Sequence, residues 1–452
     1  MVVGDVTTAV DVLVIGAGPA GYVAAIRAAQ LGRHVTLIEA DTIGGTCLRR
    51  GCIPLKALLS ASQHYQQMKR DDLTMMGIHA ESVSFDWGSM QTWKQGVVER
   101  LVEGVRRLIA GNRVTLLKGN AWFINAEEMR VEGEESSHRL KFEHCVLATG
   151  ASAVSLPDLT YDGEQILTPE QSLQLSKLPA ALSIFGNDYI ALELATLFAR
   201  LGVSVKLFSP GEQLLADIEP SALRLVQAGL RKLGIHITTN VALSTIAERP
   251  IVILNGVRPN TKGLHLGEAD IKVTEYGGII VNSMQQSSVP HVYAIGDCTG
   301  NNALASVAIR QGKIAAEALC GQRVQFAPLV IPQVVHTTPE LATAGLSVEA
   351  ATHTGYNTIT GRFPLAANGR ALTLGTEAGV ALIVARQEDE AVLGATLVGP
   401  HAGDLIGQVV LAIEMGATLT DLSEIIYAHP GLNEIVQESA EAALGRAIHI
   451  LR

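Results

Sequence analysis

The run Asp11-Val12-Leu13-Val14-Ile15 is apolar enough to be buried on both faces, and it stops abruptly at Gly16-Ala17-Gly18-Pro19-Ala20-Gly21. A helical stretch through Gln30 follows, then a second apolar strand, His34 to Ile38, closing at Glu39. Strand, glycine turn, helix, strand and terminal acid in this order predict a parallel βαβ unit. Gly16 makes the tight turn, Gly18 lets the backbone approach a pyrophosphate, and Gly21 permits close packing of the helix. Glu39 is placed to accept from ribose hydroxyls. A bare glycine triplet would say little. With its context intact, it predicts a dinucleotide site.

The run Gly44-Gly45-Thr46-Cys47-Leu48-Arg49-Arg50-Gly51-Cys52-Ile53-Pro54-Leu55-Lys56 comes soon after. Four residues separate the two thiols, and the second opens a predicted helix, Leu55 to Ser62. A sulfur at a helix N-terminus meets the positive dipole end, which favours thiolate over thiol. A disulfide next to a flavin can pass two electrons by thiolate attack on the ring. The pair reads as working chemistry, not as a structural staple.

Composition narrows the class. The 452 residues suffice for about three domains. Hydrophobic residues at 48% against 17% charged describe a globular chain with large buried sheets. A net charge of -10, without a lysine or arginine cluster, argues against nucleic-acid partners. No apolar span is long enough for a membrane helix, and Met1 to Thr8 lacks the look of a signal peptide. Five cysteines suit a reducing cytoplasm with one catalytic pair, leaving Cys145, Cys298 and Cys320 as structural thiols.

The cysteine segment resembles the active-site signature of the pyridine nucleotide–disulfide oxidoreductases, which include dihydrolipoamide dehydrogenase, glutathione reductase and mercuric reductase. The resemblance covers essentially the whole chain. Tyr427-Ala428-His429-Pro430-Gly431-Leu432-Asn433-Glu434 and the ending Gly445-Arg446-Ala447-Ile448-His449-Ile450 are similar to the dihydrolipoamide dehydrogenase branch in particular. A terminal cysteine pair, expected of a mercuric reductase, is missing from Ile450-Leu451-Arg452.

The resemblance implies an α/β fold with two Rossmann-like dinucleotide-binding domains, the second inserted in the first, and a C-terminal α+β dimerisation domain. Residues 1–150 and 271–327 would form the FAD-binding domain, 151–270 the nicotinamide-binding one and 328–452 the dimerisation domain. His144-Cys145-Val146-Leu147-Ala148-Thr149-Gly150 resembles the strand leaving the first flavin segment, and Val292-Tyr293-Ala294-Ile295-Gly296-Asp297 the second flavin signature. FAD would then be held by Gly16, Gly18, Pro19, Ala20, Gly21, Glu39, Gly45, Thr46, Lys56, Ala121, Thr149, Gly150, Asp297 and Ala305. No metal is expected.

Catalytic roles follow from the same resemblance. Cys47 would exchange with substrate and Cys52 face the flavin. His429 would be the base, oriented by Glu434 and supplied across a homodimer. Lys56 and Glu193 resemble an ion pair beside the flavin, or one that pins two domains. Tyr189 is either an aromatic lid or a packing residue. Arg49 and Arg50 either favour thiolate and attract an acidic carrier, or point to solvent. The implied activity is exchange of electrons between a protein-bound lipoyl dithiol, the Cys47/Cys52 disulfide and FAD, with NAD as acceptor. A reductase for another disulfide, or a flavin-bearing regulatory subunit, are the alternatives.

The inserted segment departs from the pattern. After the strand Leu182 to Phe185 comes Gly186-Asn187-Asp188-Tyr189-Ile190-Ala191, with Asp188 where the second glycine belongs. The next strand, Val203 to Phe208, ends in Ser209-Pro210, not in an acid. Between Asn240 and Gly256 a hairpin region is missing. A nicotinamide site here is either reshaped or lost.

Overall fold

The computed structural model describes residues 7–69, 71–134, 136–154, 156, 159–215, 218–301 and 304–451. Met1 to Val6 and Arg452, on which two of the readings above rest in part, lie outside the described residues. The chain divides into two compact units: Met1–Ala57, Gly88–Thr160 and Asn255–Ala327 form one, and Leu58–Trp87, Tyr161–Leu254 and Pro328–Arg452 the other.

The first unit begins with β1 (Thr7–Ile15), α1 (Pro19–Gln30), β2 (Val35–Glu39), α2 (Gly45–Arg49) and the first residues of α3 (Cys52–Met68). Most of α4 (Trp87–Gly111) follows, then β3 (Thr115–Lys118), β4 (Asn120–Asn125), β5 (Glu128–Glu132) and β6 (Ser137–Leu147). One sheet carries the order β3-β2-β1-β6-β5-β4, and the strand Val292–Ala294 pairs in parallel with β6. Val12, Leu13, Val14 and Ile15 are all buried, as a central parallel strand covered on both faces requires. Against α1 packs the helix Ala305–Leu319. A Cβ on its Gly312 would stand 2.6 Å from the Ala20 carbonyl oxygen, so only glycine allows this approach.

In the second unit a five-stranded parallel sheet is built from β8 (Ile166–Leu167), β9 (Ala181–Phe185), β10 (Ser204–Phe208), β11 (His236–Thr238) and β12 (Ile251–Ile253). Its helices include α5 (Pro169–Ser172), α6 (Tyr189–Arg200) and α7 (Pro220–Lys232). Here too a strand, β9, runs through a glycine turn into a helix, α6. Between β11 and β12 lie a 3-10 turn and loop but no strand. A second, antiparallel sheet of the same unit has Gln333–Val335, Leu341–Gly345, Val392–Val398, Val380–Arg386 and Thr358–Pro364 in that order. On it lie the helices Ala402–Met415 and Glu434–Ala443.

In the division into compact units, Tyr161–Leu254 belongs to the second and Asn255–Ala327 to the first. The cause is pairing: Val257–Pro259 runs antiparallel to β7 (Ala151–Ala153), which ties the returning chain to the first unit. The helix opened by Cys52 begins earlier and runs longer than Leu55 to Ser62. Among the described residues no helix is long and apolar enough to cross a membrane.

Candidate active site

At the β1–α1 turn the glycines are required by contact. Gly16 has φ +98°, and a Cβ there would lie 2.4 Å from the Ala148 carbonyl oxygen. A Cβ on Gly21 would lie 1.8 Å from the Gly16 carbonyl oxygen. Gly45, at φ +61°, backs onto Gly18 so closely that its Cβ would stand 2.6 Å from the Gly18 Cα. Gly18 is the N-cap of α1 and offers no side chain to the helix, so the leading N–H groups have no side-chain acceptor. Glu39 accepts from the Ala17 N–H at 2.7 Å and the Asp41 N–H at 2.9 Å, which orients its carboxylate at the lip of the turn. A helix start left open and walled by glycine fits a dinucleotide pyrophosphate.

Other residues expected at this cofactor are spread over the same unit. Thr46 lies in α2, and Ala121 is buried in β4. Thr149 and Gly150 are fastened to Asn260: the Asn260 N–H donates to the Gly150 carbonyl at 2.9 Å, and the Thr149 hydroxyl to the Asn260 carbonyl at 2.9 Å. Burial raises the Asp297 carboxyl above the ordinary aspartate value. Pro19 and Ala305 each open a helix.

Cys47 lies in α2, and Cys52 is the first residue of α3, both as free thiols. A hydrogen bond to Cys52 raises the Cys47 pKa, burial raises it further, and Lys56 opposes both. Lys56 stands one helical turn beyond Cys52, on the same face. Two thiols that share a hydrogen bond release their protons in sequence, so one is stabilised as thiolate while the other stays protonated. Arg49 and Arg50 share an acidic neighbour that the sequence reading did not name. Arg49 bonds Asp41 at 2.5 Å and Arg50 lies 4.0 Å from the same carboxylate, so both cations face an acid of their own segment. Arg49 holds the Asp41 carboxyl below its ordinary range.

In the second unit, His429 is 80% exposed at its side chain and its Nδ1 meets Glu434 at 2.8 Å. With Nδ1–H donating, Nε2 is left as the basic nitrogen. The other Glu434 oxygen accepts from the Gly431 N–H at 2.7 Å. Burial pushes Glu434 up, but the Gly431 and His429 bonds outweigh it and leave the carboxyl below its ordinary range. Asn368 holds this loop by donating to the Gly431 carbonyl at 3.0 Å.

Glu193 is wholly buried in α6 and accepts from the His336 N–H at 3.0 Å. The His336 Nδ1 meets Glu340 at 2.5 Å, whose second oxygen accepts from the Gly403 N–H at 3.0 Å. Buried Arg200 donates to the Leu59 carbonyl at 3.3 Å and to Thr338 Oγ1. Burial lowers the Arg200 pKa to about 10, against the pull of Glu340. Sequence reading missed His336 and Arg200. The one available signal was Glu193 persisting inside an altered fingerprint.

At the β9–α6 turn Gly186 is kept, but Asp188 is the N-cap of α6 and its Oδ1 accepts from the Ala191 N–H at 2.9 Å. Its carboxyl reaches the surface, yet the surrounding protein raises its pKa by desolvation. Ser209 is wholly buried. Its hydroxyl donates to the Gly211 carbonyl at 3.0 Å and accepts from the Gly211 N–H at 3.2 Å.

Residues 10–312 match the family model for pyridine nucleotide-disulphide oxidoreductases, and residues 331–440 match the dimerisation domain of that group. The chain is 40% identical over 471 aligned positions to a dihydrolipoyl dehydrogenase of Geobacillus stearothermophilus, with 100% of both chains covered. It is 39% identical to dihydrolipoyl dehydrogenase 2 of Haloarcula marismortui, over 99% of this chain and 100% of that one. Among solved structures, LpdA of Mycobacterium tuberculosis superposes with a TM-score of 0.90 at 25% identity, covering 96% of this chain and 99% of that one. The HOCl-induced flavoprotein disulfide reductase RclA of Escherichia coli superposes with a TM-score of 0.85 at 25% identity, covering 95% and 99%. Paired thiols one helix away from an open dinucleotide turn, in a chain matched from end to end, leave one assignment: this flavoprotein belongs to the pyridine nucleotide-disulphide oxidoreductase family.

Proposed function

We propose that the protein exchanges electrons between a dihydrolipoyl group carried on a protein domain and FAD, through Cys47 and Cys52. The observation that carries this reading is the hydrogen-bonded thiol pair formed by Cys47 of α2 and the first residue of α3, in the same unit as the open β1–α1 turn. The Gly16–Gly21 turn, Glu39 and the Gly45–Thr46 backbone would hold FAD, which when bound would supply a two-electron acceptor for the pair. His429 takes the proton of a substrate thiol at Nε2 while Glu434 fixes its tautomer. The substrate thiolate attacks Cys47 Sγ of the oxidised pair, and the bond to Cys52 breaks. Cys52 leaves as thiolate, favoured by the α3 N-terminus and by Lys56. His429 hands its proton to Cys47 Sγ and takes that of the second substrate thiol, whose sulfur attacks the mixed disulfide, releases Cys47 as a thiol and closes the lipoyl disulfide. The substrate has lost two electrons and the cysteine pair has gained them.

The dimerisation-domain match supports a homodimer. We assign the base of each site to His429 of the partner subunit, and the nicotinamide-type domain to the segment 161–254. An odd count of five cysteines in a long chain supports a reducing, cytoplasmic setting. The test is anaerobic addition of dihydrolipoamide to the purified flavoprotein, followed by flavin absorbance. Reduction is expected for the unmodified chain and its loss for Cys47→Ser and Cys52→Ser alike. Unchanged reduction in both variants would refute the assignment. Mixing Cys47→Ser and His429→Ala chains should restore activity in heterodimers if the base crosses the two-fold axis.

A further inference from the structure

We propose that the β9–α6 turn does not take up a nicotinamide dinucleotide with the affinity expected of its family, because Asp188 fills from within the place of the pyrophosphate. The first turn of a helix attracts an anion through N–H groups that lack intrahelical acceptors. In α6 the Ala191 N–H already donates to Asp188 Oδ1 at 2.9 Å, and the Ile190 N–H also stabilises that carboxylate. An incoming diphosphate must displace this acceptor and then lie against a carboxylate. Glu193, one turn further along α6, adds negative potential on the same helix.

The adenosine end is closed by a separate device. A ribose needs an acceptor at the tip of the second strand. Ser209 stands there, wholly buried, and its hydroxyl both donates to and accepts from Gly211. Pro210 follows and has no N–H to give. The same chain shows what an open version looks like. At β1–α1 the equivalent of Asp188 is Gly18, which caps nothing, and the equivalent of Ser209 is Glu39. The residues of α6 therefore do not fit the group that their topology implies.

The inference is tested by calorimetric titration of NADH, and of ADP-ribose, into the FAD-loaded protein at neutral pH. Weak binding is expected for the unmodified chain. Asp188→Gly reopens the turn and should tighten binding by about tenfold or more, the worth of one charged hydrogen bond. Asp188→Asn keeps the helix cap and removes only the charge, so it should also tighten binding, by a smaller factor. It guards against a glycine variant that fails to fold, and folding is checked by circular dichroism and flavin content. Low-micromolar binding by the unmodified protein overturns the proposal. So does a folded pair of variants that bind no better than the parent. Flavin reduction by dihydrolipoamide is measured on the same samples. Its failure would remove the lipoyl reading and leave the conclusion about α6 untouched.

Discussion

The chain contains the same device twice, a parallel strand running through a glycine turn into a twelve-residue helix, with opposite outcomes. At β1–α1 the cap residue is Gly18 and the helix start is left to an external anion. At β9–α6 the cap residue is Asp188 and the helix start is satisfied by its own chain. At the second strand's end, Glu39 presents a carboxylate at a turn, whereas Ser209 turns a buried hydroxyl inward. The backbone topology is the same in kind, so the proposed difference in ligand capacity would lie in two side chains. A fold of this type offers a binding site, and short polar residues decide whether the protein or a ligand takes it.

The largest effect should come from the third glycine position. In Gly21→Ala the added Cβ would sit 1.8 Å from the Gly16 carbonyl oxygen, a backbone atom that cannot step aside without moving the turn. We expect chains that lack flavin or fail to fold, measured as absorbance per polypeptide. The matching position in the second turn is already Ala191, wholly buried. Ala191→Gly should cost only about 1 kcal/mol in helix propensity and retain the flavin. Equal flavin loss in both would break the contrast.

Next come the strand ends. Glu39→Ala removes the acceptor of two backbone N–H groups and should weaken FAD binding by roughly ten- to a hundredfold, read by flavin release on dilution. Ser209→Ala loses an internal bond worth about 1 kcal/mol and should leave flavin affinity alone. Smaller again is Asp188→Ala, which removes the α6 cap and should lower stability by about 1 kcal/mol in urea denaturation, with flavin content unchanged. If stability holds, Asp188 is not an effective cap.

Much of this was legible in the sequence because it is local. The buried run Val12–Ile15, the glycines and the cysteine spacing each declare themselves within a few residues. What stayed hidden depends on pairing between distant segments or on where a side chain turns. Glu193 meets a backbone N–H 143 positions away, and Arg200 a hydroxyl 138 positions away, at distances no window of sequence spans. The return of the chain to the first unit is not legible either, because the strand Val257–Pro259 is short and its partner, β7, lies far back in the chain. Asp188 could be read as an intrusion, but not as a cap, until its oxygen was seen to face the Ala191 N–H. The sequence leaves Arg49 and Arg50 either favouring thiolate or facing solvent, and the fold adds the Asp41 carboxylate as their neighbour.

Two carboxyls at helix starts sharpen the comparison further, because their pKa values move in opposite directions. Glu434 is lowered: burial acts against it, but the Gly431 N–H and His429 win. Its ionised form is favoured by folding, so its stabilisation is complete above the ordinary value of 4.5 and is lost as pH falls through the lower folded value. Asp188 is raised, chiefly by desolvation, so folding disfavours its ionised form. Its penalty is absent below the ordinary value of 3.8 and is complete only once pH has risen past the higher folded value. Charge-removing substitutions should therefore have opposite signs at neutral pH. Glu434→Gln lowers stability, whereas Asp188→Asn, which keeps a good cap residue, raises it, each by under about 1 kcal/mol. Both differences should shrink in acid, that of Asp188 toward the ordinary aspartate value and that of Glu434 only below the ordinary glutamate value. Urea denaturation of the three proteins across this range decides the matter. If Asp188→Asn is destabilising at neutral pH, the α6 carboxylate is a net asset to its helix rather than a charge held there at a cost.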